Sequence, residues 1–125
     1  MKTLAQRRAT VALLWKNKDF GGKKEGNVVS GFPTLIRIDG LLPALAYAVE
    51  RKEDRQTRRM VPKNPGEFQI AAALVEHLRN EEILKKSSNP DEMVNELASG
   101  CDASQLRRAT SESLAFLNYL KRFVA

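Results

Sequence analysis

The chain is poor in the residues on which most enzymes and metal proteins rely. Its 125 residues include one histidine, one cysteine and one tryptophan. A lone cysteine forms no internal disulfide, which fits a reducing compartment. One His and one Cys cannot furnish a zinc site. His77 stands in "VEHLRNEE", without the second histidine of a zinc-protease helix. Cys101 follows a glycine at a helix boundary, with nothing beside it to activate a thiolate. "GGKKEG" lacks both Walker spacing and a following Ser or Thr, and no acidic pair stands out. The expectation is a protein that is not an enzyme and carries no cofactor or metal.

Other shortages narrow the class further. No apolar run approaches the ~20 residues needed to span a bilayer. The opening "MKTLAQRRAT" has no apolar core and no small-residue cleavage site, so no secretory signal is expected. The expected location is cytoplasmic, with no membrane partner. Aromatics make up 6% of the chain, and most fall on core stripes, which leaves little for sequence-specific base readout.

What is abundant is positive charge, and it is segregated. The net charge is +6. Residues 1–24 carry seven Lys/Arg against one acid, and residues 51–63 carry six against two. Residues 64–100 reverse the balance, with three bases against seven acids. A segregated basic surface on a small domain suits a polyanion, nucleic acid first.

Helical signals dominate, and there is no internal repeat. The first helix is expected over about Thr3 to Lys18, followed by a basic glycine-rich loop, "KDFGGKKEGN". "NVVSGFPTLIRIDG" allows a short strand, but Pro33 at a first helical position favours a short or kinked helix. Pro43 places the next helix start at Asp39 or Gly40. "EDRQTRRMVPK" has no apolar periodicity and reads as an exposed loop. Asn64, Asn89 and Asp102 each precede Glu or Gln by three residues, the pattern of a reciprocal N-terminal cap. They open helices over about 67–79, with 81–87 as a possible extension, then 90–99 and 103–124. The fold class is all-α, a single compact bundle of five or six helices in one domain, 1–125.

Projected at 100° per residue, the last helix has two faces. Leu106, Ala109, Ser113, Phe116, Leu117, Leu120, Phe123 and Val124 form a core stripe within about 120°. Arg107, Arg108, Ser111, Ala115, Asn118, Lys121 and Arg122 share another arc of about 140°, outside which Glu112 lies. The two basic pairs stand about 21 Å apart along the axis. Cations near a helix C-terminus complement its dipole, which accounts for Lys121 and Arg122 but not for Arg107 and Arg108. In the first helix, Arg8 projects into the stripe of Leu4, Val11 and Trp15 and reads as an internal ion-pair or hydrogen-bond donor. Leu13 and Leu14 make that helix apolar on several sides, as either a central helix of the bundle or an assembly contact.

Three stretches, "QRRA", "FPTLIRIDGLLPALAYAVER" and "ATSESLAFLNYLKRFVA", resemble the small α-helical subunit of the type III-B CRISPR RNA-targeting (Cmr) complex. That family typically ends in a helix like "AT-x-EALAFLNWLKRFA". Ala109, Thr110, Glu112, Leu114 to Asn118, Leu120, Lys121, Arg122 and Phe123 fit it, while Tyr119 replaces the usual Trp and Ser113 an Ala. The resemblance covers about half the chain and leaves out residues 54–100. It implies a non-catalytic architectural subunit in antiviral defence. Such subunits stack head to tail as a minor filament against other subunits of the effector complex, with guide RNA and target RNA in the groove between filaments.

On this reading the candidate contacts to RNA phosphates are Arg7, Lys16, Lys18, Lys23, Lys24, Arg51, Arg55, Arg58, Arg59, Arg107, Arg108, Lys121 and Arg122. The rival readings are a free-standing nucleic-acid-binding helical regulator, such as a helix-turn-helix protein built around "SGCDA", and a protein-only adaptor.

Overall fold

The computed structural model describes residues 1–18, 20 and 27–124. Among them are six helices: α1 (Leu4–Trp15), α2 (Asn27–Asp39), α3 (Leu41–Ala48), α4 (Pro65–Asn80), α5 (Pro90–Ser99) and α6 (Ala103–Val124). A two-stranded antiparallel hairpin, β1 (Arg51–Glu53) and β2 (Met60–Pro62), lies between α3 and α4. The architecture is the expected helical bundle, with one small sheet added. Most of "KDFGGKKEGN", including Lys23 and Lys24, lies outside the described residues.

Helix α4 is the hub, packing against α1, α2, α3, α5 and α6. Its Ile70, Ala71, Ala73, Leu74, Val75, His77 and Leu78 are all buried, so almost its whole circumference faces protein. Such an all-round apolar helix belongs at the centre of a bundle. Helix α1 does not hold that place, because Leu13 is 47% exposed and Leu14 66% exposed. The small residue at the start of α4 serves its docking. A Cβ at Gly66 would stand 1.7 Å from the Phe20 carbonyl oxygen, so only glycine lets the chain cross there.

The expected caps meet three different fates. Asp102 and Gln105 form the full reciprocal pair, with both bonds at 2.8 Å. Asn89 accepts from the Glu92 N–H at 2.9 Å, but the Glu92 carboxylate turns to the Ser88 N–H and hydroxyl instead. Asn64 makes no side-chain cap, and its amide donates to the Tyr47 carbonyl across the hairpin base. A second full box forms at Thr3 and Gln6, at the start of α1.

Three further expectations are corrected. Pro33 sits inside α2, not at its start. A proline there costs about 3 kcal/mol, offset by the burial of Phe32, Pro33 and Ile36 in the core. Gly40 then separates α2 from α3 with φ at 96°, a conformation that favours glycine. "EDRQTRRMVPK" is exposed as expected but is not a plain loop. Lys52 pairs with Val61 and Glu53 with Met60, while the Asp54 carboxylate accepts from the Gln56 N–H to close the turn. Residues 81–87 do not extend α4. They form a turn whose Lys85, Lys86 and Ser87 N–H groups converge on the Glu96 carboxylate.

Candidate nucleic-acid interface

Helix α6 begins with the Asp102–Gln105 box and runs 22 residues, long enough to present one face to the core and another to solvent. Ala109, Glu112, Ser113, Phe116, Leu117 and Leu120 are buried, and Leu106, Phe123 and Val124 are half-buried against the core. Arg107, Arg108, Ser111, Asn118, Lys121 and Arg122 are exposed. Leu114, which projects into the same arc, is half-buried and does not break the face with exposed apolar surface. None of the four cations makes an ion pair among the described residues. The outer face therefore offers two guanidinium or ammonium pairs with their charge uncommitted.

The inner face holds the one acid of the helix. Both Glu112 oxygens accept from Arg8, Oε2 from Nε at 2.6 Å and Oε1 from Nη2 at 2.8 Å. The His77 Nε2 lies 2.8 Å from Glu112 Oε2, and its ring stacks on Phe116 at 4.7 Å between centroids. Burial pushes the Glu112 carboxyl up, but the hydrogen bonds from Arg8 and His77 and the charge of Arg8 outweigh it and hold it below the usual carboxylate range. An ionised carboxylate has only acceptors, so His77 presents its N–H at Nε2. This junction ties α1, α4 and α6 together and fixes the azimuth of α6, which keeps the outer cations outside.

The other predicted cations divide into committed and uncommitted groups. Arg7 is bound to Glu81 by two hydrogen bonds, at 2.8 and 3.0 Å, and also to the Lys2 carbonyl. Arg51 meets Asp91 at 2.6 Å and lies over the Phe68 ring, so it anchors the hairpin to the bundle. Arg58 sits 3.5 Å from Glu53 at the hairpin turn, with φ at 61°. Arg55 and Arg59 are exposed beside it. Lys16 is exposed at the end of α1, and the Lys18 amine lies 5.8 Å from the Trp15 ring centroid.

A family described as CRISPR-associated protein (Cas_Cmr5) matches residues 4–125. The chain belongs to the Cas_Cmr5 family. Comparison with curated proteins and with solved structures finds no match. The Cas_Cmr5 match takes in residues 54–100, which the quoted motifs leave out.

Within this Cas_Cmr5 bundle, His77 is a buried core residue, bound through Nε2 to Glu112 and with no partner at Nδ1 among the described residues. Burial and the carboxylates of Glu96 and Asp102 push the Cys101 thiol up, away from the thiolate. Helix α5 rests on α3 and α4, while α6 rests on α1, α2 and α4, which does not match a helix-turn-helix pair packed on itself. Sequence reasoning missed exposed cations at Arg79, Lys85 and Lys86 because the net acidity of residues 64–100 masked them. The "KK" doublet was their only local signal.

Proposed function

We propose that this chain is a non-catalytic, architectural subunit of a type III-B CRISPR ribonucleoprotein, acting in cytoplasmic antiviral defence. It stacks with copies of itself as a minor filament, joins other subunits of the effector complex, and lines the groove that holds guide and target RNA. The family membership supports the CRISPR association. The observation that carries the RNA role is the outer face of α6, where Arg107, Arg108, Lys121 and Arg122 stand exposed without acidic partners among the described residues.

Phosphate contact is what such a face can deliver. It is indifferent to sequence and falls with salt through counterion release. The exposed Leu13 and Leu14 supply apolar surface for a neighbouring subunit. The test uses the assembled complex carrying Lys121→Glu and Arg122→Glu. Target-RNA affinity should fall, and its dependence on salt should become shallower by about 0.7 per lost contact on a log–log plot. Identical affinity and slope across a salt titration would refute the RNA role.

A further inference from the structure

A cleft of about 510 Å³ opens beside α4, between Trp15 at the end of α1 and the start of α5. Its size falls within the ~300–1,000 Å³ of small-ligand sites. Val75 and Pro90, both buried, provide apolar lining. Trp15 is half-buried, and its indole N–H donates to Glu76 Oε2 at 3.0 Å, which fixes the ring as a rigid wall. Around that wall stand four polar groups without hydrogen-bond partners among the described residues. They are the second oxygen of Glu76, the guanidinium of Arg79, the side-chain amide of Asn80 and the Nδ2 of Asn89, whose Oδ1 caps α5.

This set has a specific chemistry. An aromatic wall takes a planar heterocycle, and a carboxylate oxygen accepts from a ring or exocyclic N–H. A carboxamide pairs with the donors and acceptors of a base edge, and a guanidinium takes a phosphate. A purely apolar ligand would leave Glu76, Arg79 and Asn80 desolvated without partners. One carboxylate alone is a poor site for a divalent cation. Glu92 lies within electrostatic reach of Arg79, but its carboxylate is engaged by the Ser88 N–H and hydroxyl.

We propose that this cleft binds one nucleoside monophosphate unit, with the base against Trp15 and the phosphate on Arg79. Purines bind above pyrimidines, because they offer more stacking surface. The unit is either a free nucleotide or one residue of a single-stranded RNA. The site is independent of α6, so it can fail while the α6 reading holds, and the reverse.

Trp15 is the only tryptophan, which makes it a reporter in the unmodified chain. The full-length protein is titrated with AMP, GMP, UMP, ribose 5-phosphate and a short purine RNA with and without one abasic position. Tryptophan fluorescence is read alongside calorimetry. The expected result is saturable quenching by AMP and GMP, at least fivefold weaker for UMP and absent for ribose 5-phosphate. Arg79→Gln should weaken AMP binding at least tenfold, with Arg79→Lys in between. Lys121→Glu with Arg122→Glu should leave it unchanged. Tighter binding of the intact RNA than of its abasic form assigns the site to a strand, and equal binding of mononucleotide and RNA assigns it to a free nucleotide. No saturable response to any nucleotide at millimolar concentration would overturn the proposal. So would equal binding of ribose 5-phosphate, or unchanged affinity in Arg79→Gln.

Discussion

The two faces of α6 carry charge in opposite ways. On the inner face, Glu112 is 8% exposed and satisfied by Arg8 from α1 and His77 from α4. On the outer face, four cations stand in solvent with no acid beside them among the described residues. Burial forces pairing, because an unpaired charge in the core costs several kcal/mol. Solvent forces nothing, so an acid-free basic face is a choice that folding does not demand. The contrast separates residues that hold the fold from residues free to serve a partner.

The largest expected effect breaks the inner face. Glu112→Ala strands Arg8 and removes the acceptor of His77. Breaking a buried pair costs about 3–5 kcal/mol, and the low end applies because the Arg8 side chain keeps 21% exposure. Chemical denaturation should show a loss of about 3 kcal/mol. A loss under about 1 kcal/mol would mean that the junction does not anchor α6. Next in size is the double variant Arg8→Met with Glu112→Leu, which replaces the pair with apolar bulk. It should recover at least about half of the Glu112→Ala loss, since removing both partners strands no charge. A double variant as unstable as the single one would show that packing, not charge, makes the junction.

Acid provides a smaller and graded version of the same break. The Glu112 carboxyl is held below its ordinary range in the folded protein, so the unfolded chain binds its proton more readily. Its contribution is present above the unfolded pKa and lost as pH falls through the depressed folded value. Glu96 is shifted in the same direction: burial raises it, and the bonds from Lys85, Ser87 and Lys86 outweigh that effect. Melting temperature should therefore decline below about pH 4.5, and Glu112→Gln should flatten part of that decline. An unchanged acid limb in Glu112→Gln would place the shift elsewhere.

How much of this was legible depended on which physical signal each feature leaves. The two faces of α6 were readable because a 22-residue helix repeats its 3.6-residue period many times. Arg8 was readable as an internal donor, but its acceptor lies 104 residues away, and no local pattern names a partner at that distance. The hairpin was not readable. Arg51–Glu53 are exposed and Met60–Pro62 at most half-buried, so no alternation of apolar residues marks the strands. Pro33 misled because its local rule assumes that no packing gain offsets a missing helical bond, and here the core supplies one. The Trp15 cleft left no signature, since its groups come from three separated segments.

The smallest stability effects belong to the outer face, and they discriminate best. Lys121 and Arg122 occupy the last turn of α6, where cations favour the helix dipole. Lys121→Gln with Arg122→Gln should therefore cost about 0.3–1 kcal/mol. Arg107 and Arg108 lie near the N-terminal end, where the dipole opposes them. Arg107→Gln with Arg108→Gln should be neutral, or stabilising by a few tenths of a kcal/mol. If the face exists to meet phosphate, both pairs should nevertheless weaken RNA binding by the assembled complex and flatten its salt dependence to a similar extent. Stability and binding then move together at one end of the helix and apart at the other. RNA binding untouched by Arg107→Gln with Arg108→Gln would confine the interface to the last turn, where helix-end electrostatics already accounts for the charge.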